Sequence, residues 1–77
     1  MDVDEQIQRL IEEAVEVASV HVKADWDHAF SIMLDNHGTQ LRRKIEAIIE
    51  DPVLVRSKMD IFYDKMDKAA PGWREQL

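Results

Sequence analysis

Val20-His21-Val22-Lys23-Ala24-Asp25-Trp26-Asp27-His28 is the stretch on which the architecture turns. It is either the middle of one long helix or the place where one helix stops and another begins. Val20, His21 and Val22 are weak helix formers, and Asp25 is a good cap for a fresh helix starting at Trp26. Against a break stands the apolar phase. At about 100° per residue, Ile7, Leu10, Ile11, Ala14, Val15, Val17, Ala18, Val22, Ala24, Trp26, Ala29, Ile32 and Met33 share one broad arc, while Glu5, Arg9, Glu12, Glu16, Lys23 and Asp27 share the opposite one. The unbroken phase selects a single helix over residues 4–35, roughly 48 Å long. A strand over the valines at 15, 17, 20 and 22 is disfavoured, because their alternation slips and no second strand follows to pair with it.

Downstream boundaries are marked by the two glycines and two prolines. Asp35-Asn36-His37-Gly38 reads as a helix stop, with Gly38 in the left-handed position that glycine tolerates. Thr39 then caps a second helix over 39–50, carrying Leu41, Ile45, Ile48 and Ile49 at helical spacing. Asp51-Pro52 is a break and a restart together, since aspartate caps well and proline suits the first helical position. A third helix over 52–70 ends at Pro71-Gly72. The expected fold is all-α, a single helical domain over 1–77. The hairpin exposes an apolar seam that two copies would bury as a dimeric four-helix-type bundle. A break near residues 23–25 gives the alternative, a compact four-helix monomer.

With 77 residues and no cysteine, the chain lacks disulfides, thiolate metal sites and thiol nucleophiles. A core this small rarely supplies more than about 3–5 kcal/mol, which makes self-association or a metal a reasonable source of extra stability. The net charge of −6 is uneven, with −7 in residues 1–37 and +1 in the remainder. Arg42-Arg43-Lys44 is the only basic triplet, so direct nucleic-acid binding is disfavoured. No stretch is long and apolar enough to span a membrane, and the acidic start does not resemble a secretion signal. The expected location is therefore cytoplasmic.

Three groups of residues bear on function. His21, Asp25 and His28 are spaced i, i+4 and i+7 on the apolar arc of a continuous helix. Polar groups there must be paired or bound, so we expect a hydrogen-bonded inner layer, with zinc, iron or manganese held by these three as the alternative. Glu46 or Glu50 would complete such a metal site in a dimer. Val55, Met59, Phe62, Tyr63, Met66 and Trp73 form a Met/aromatic stripe suited to an interface. Glu12, Glu13, Glu16 and Asp27 form an acidic face. No second acidic pair follows to hold magnesium, and Ser19, Ser31 and Thr39 lie in helical or capping contexts without a base beside them. The sequence thus points to a non-enzymatic, homodimeric interaction module or regulator with an unidentified protein partner. Two further readings are an acidic phage-type inhibitor that blocks a basic groove and a His/carboxylate metal-binding bundle.

Overall fold

The computed structural model describes residues 2–76. Among these, every regular element is helical. Helix α1 spans Val3–Ala24, capped by the Asp2 carboxylate, which accepts from the Asp4 amide at 3.2 Å. It stops at Asp25, whose backbone (φ −141°, ψ 66°) leaves the helical region while its N–H is shared between the carbonyls of His21 and Val22. The expected single helix over 4–35 is therefore two. The molecule is 36 Å in its longest dimension, too short for that helix. Asp25 does precede a new helical turn at Trp26, but its carboxylate bonds the His28 ring and caps no amide.

Residues 26–46 form one central helical run. A 3-10 turn (Trp26–His28) leads into a single α turn, α2 (Ala29–Ser31), then a π segment (Ile32–Gly38), then α3 (Thr39–Glu46). The expected stop at 35–38 is thus a π turn inside a helix. Gly38 has φ −61°, not a left-handed value, and the Thr39 hydroxyl donates to the Leu34 carbonyl at 3.0 Å instead of capping a new start. Packing explains the extra width. Each π step advances about 20° less than an α step, so the six steps from Ile32 to Gly38 turn everything downstream back by roughly 120°. That rotation brings Gly38, Leu41 and Ile45 onto the same buried side as Ala29, Ile32 and Met33.

The run ends at Glu46, and Asp51-Pro52 restarts the chain as read from the sequence. Helix α4 spans Pro52–Ala69, with the Asp51 carboxylate accepting from the Val53 amide at 3.0 Å. Asp51→Ala should cost about 0.5–2 kcal/mol in denaturant unfolding, with Asp51→Asn or Asp51→Ser restoring most of it. Beyond α4, Gly72 adopts φ +90° and folds the chain back so that Trp73, in a short 3-10 turn, closes the bundle's end.

The α1 stretch from Leu10 to Val17 lies against His37–Lys44, antiparallel to it, whereas its stretch from Asp4 to Val15 lies against Lys58–Ala69, parallel to it. The core between these elements takes Ile7, Ile11, Ala18 and Val22 from α1, and Ala29, Ile32, Met33, Leu41 and Ile45 from the central run. From α4 and the C-terminal turn it takes Val55, Met59, Phe62, Met66, Ala70 and Trp73. The seam expected to pair two copies is filled within one chain.

Candidate interaction surface

The Met/aromatic residues chosen as an interface are core instead. Val55, Met59, Phe62, Met66 and Trp73 are each at most 4 % exposed, and Tyr63 is half-buried. Tyr63 stacks on Trp73 (centroids 5.8 Å apart, planes at 28°), and Phe30 of α2 approaches Trp73 at 6.1 Å. Arg74 covers the cluster, its guanidinium 4.8 Å from the Trp73 ring and its Nε donating to Asp67 at 2.8 Å. Burial pushes the Tyr63 hydroxyl above its usual pKa, with Arg42 and Arg74 opposing. A stripe at helical spacing cannot by itself say whether it faces its own chain or another; here a third helical run was available to cover it.

His21, Asp25 and His28 do not form an inner layer. All three are exposed, and no charged or polar residue among those described is buried. The buried seam of α1 uses steps of four, seven and four residues from Ile7 to Val22, narrower than the broad arc, which leaves His21 beside the seam. Asp25 and His28 lie past the break, where the phase no longer applies. They pair with one another at 2.9 Å, and the Asp25 bond and charge raise the His28 pKa. His21 faces His37, Nδ1 to Nε2 at 2.9 Å, with the rings edge-on at 81°. Partial burial, then the neighbouring His21, lower the His37 pKa. The three residues expected to hold zinc, iron or manganese thus belong to two separate pairs. No group of three metal-ligating side chains exists among the described residues. His37 was missed because it fell in a stretch read as a loop.

The acidic residues are exposed but do not share one face. Glu12 overlooks Lys65 and Lys68 of α4, whereas Glu13 overlooks Gln40 and Lys44 of α3. Glu16 points outward, and Asp27 lies at the far end beyond the break.

The surface feature that sequence reading passed over is apolar. Val53, Leu54 and Ile61 of α4 are 77 %, 41 % and 39 % exposed, and Val3 of α1 is 44 % exposed. Leu54, Lys58, Ile61 and Lys65 fall at i, i+4, i+7 and i+11, so they line one edge of α4. That edge borders a groove of about 310 Å³ lined by Asp4, Ile7, Gln8, Ile11, Lys58, Ile61 and Lys65. Through Lys65 it continues into a second depression of about 390 Å³ beside Glu12, Val15, Lys68 and Ala69. One wall carries Asp4 and Glu12; the other carries three lysines. Among the described residues one long ion contact, Lys58 to Asp4 at 3.9 Å, crosses the groove, and at that length with Asp4 in solvent it is worth little. Among the described residues no helix is long and apolar enough to cross a membrane.

No protein-family model, curated protein or solved structure matches this chain, so its functional reading rests on the geometry of its own surface.

Proposed function

We propose that the chain is a non-enzymatic interaction module that takes an amphipathic helix of a partner protein into the groove between α1 and α4. The exposed Leu54–Ile61 edge beside that groove carries the reading. Two parallel helices with an apolar floor offer the seat of a further helix, and an antiparallel arrival would align its dipole favourably with both. Charge defines the occupant. Basic residues on the flank facing Asp4 and Glu12, and acidic residues on the flank facing Lys58, Lys65 and Lys68, would match the two walls. Residues 4–15 of α1 line this groove, which suits a segment of about three turns.

A photo-crosslinking residue in place of Ile61, expressed in the native host, tests this against the same residue in place of Glu16. A discrete heteromeric adduct is expected from position 61 alone, lost on Leu54→Glu, with the crosslinked peptide amphipathic. Equal adducts from both positions, or none from 61, would refute the groove. Adducts made only with a second copy of the chain would replace the partner helix by self-association.

A further inference from the structure

We infer that His21 and His37 form a two-imidazole site for a divalent transition-metal ion, Cu²⁺ or Ni²⁺, that ties the last turn of α1 to the π turn of the central run. The two donors come from different helical runs, 16 residues apart in sequence, and meet at 2.9 Å. Their separation suits chelation. With metal–nitrogen bonds of about 2.0–2.1 Å, nitrogens 2.9 Å apart subtend roughly 90° at the ion. That is the cis angle of tetragonal and octahedral centres; a tetrahedral zinc would need the donors opened to about 3.3 Å. Chelation removes no proton overall. Each neutral ring keeps its single N–H on the nitrogen that faces away, and the shared proton of the hydrogen bond moves there as the rings turn toward the ion.

The two donor nitrogens are already adjacent, and a turn of each ring aims them at an ion. His21 sits on a regular turn near the end of α1, exposed enough for an ion to enter from solvent. His37 is half-buried, and its neighbour Gly38 lies close against Tyr63. π turns inside α-helices are frequently found at functional sites. No third ligand joins the pair among the described residues, so water would complete the coordination sphere. The Asp25–His28 pair differs, being local to one turn and unable to join two helical runs.

Calorimetric titration of the full chain with CuCl₂ and with NiCl₂, alongside thermal melts, tests the site. The parent chain and His28→Asn should each bind one ion and melt higher with metal. His21→Asn and His37→Asn, whose metal-free circular dichroism should match the parent, should each bind roughly 100-fold more weakly, because each leaves a single donor where two acted together. Neither should melt higher with metal, and the double variant, which keeps neither donor, should bind more weakly still. In the copper complex, electron paramagnetic resonance should show two coupled imidazole nitrogens. A loss confined to His28→Asn, unchanged affinity in both single variants, or no binding by the parent chain would overturn the proposal.

Discussion

Trp73→Ala should leave the chain largely unfolded at 25 °C. The residue is 1 % exposed and plugs the open end of the bundle, against Phe30 of α2 and Tyr63 of α4. Removing a buried tryptophan costs about 3–5 kcal/mol in lost transfer and packing. A core of this size rarely supplies more than about 3–5 kcal/mol, so the loss approaches the whole of it. The indole Nε1 is buried with no acceptor among the described residues, which means that tryptophan itself forgoes a hydrogen bond here. Trp73→Phe should therefore be much milder than alanine, since it keeps a ring in the plug and removes the unpaired donor. Circular dichroism melts separate these outcomes. A fall of less than about 5 °C for Trp73→Ala would mean that the C-terminal turn is not part of the cooperative core.

Gly38→Ala is the second large effect, and its sign runs against helix propensity. Replacing a helical glycine by alanine ordinarily gains about 1 kcal/mol. At Gly38 an added Cβ would collide with the Tyr63 hydroxyl and would lie 2.8 Å from the Met33 carbonyl across the π turn. The carbonyl is backbone and cannot move aside without disturbing the turn. Overpacking of this kind costs about 1–3 kcal/mol, so the variant should be less stable than the parent in denaturant unfolding. Tyr63→Phe removes the hydroxyl but not the carbonyl, and combining it with Gly38→Ala should recover only part of the loss. A stabilised Gly38→Ala would show that the glycine serves no packing purpose.

These two positions mark what the sequence could and could not reveal. Asp51-Pro52 was legible because a cap and a first-turn proline act locally, whatever packs around them. The end of α4 was legible from Pro71-Gly72 for the same reason. The break at Asp25 was legible only as the alternative, since Ala29, Ile32 and Met33 kept the phase of α1 across it against weak propensities at Val20–Val22 and a capping aspartate. Gly38 misled because a π turn and a helix end leave the same trace: a slip in apolar phase beside a glycine. The spacing from Met33 to Gly38, Leu41 and Ile45, steps of five, three and four residues, holds the signal of a widened turn.

The surface followed from these errors. A single long helix would need a partner for its seam, a role that the Met/aromatic stripe fits better than the edge of Leu54 and Ile61. Once the chain turns at Asp25, the stripe is covered internally and the α1/α4 edge is left open. His37, placed in a supposed loop, could not be matched to His21 until the central run was seen as one helix.

Sedimentation equilibrium of the isolated chain, from low to high micromolar, tests most directly whether the core is closed within one copy. A mass of 9.0 kDa at every concentration is expected, with the helical signal unchanged on dilution. A dimer whose dissociation coincides with loss of helical circular dichroism would contradict it, because the core would then depend on a second chain.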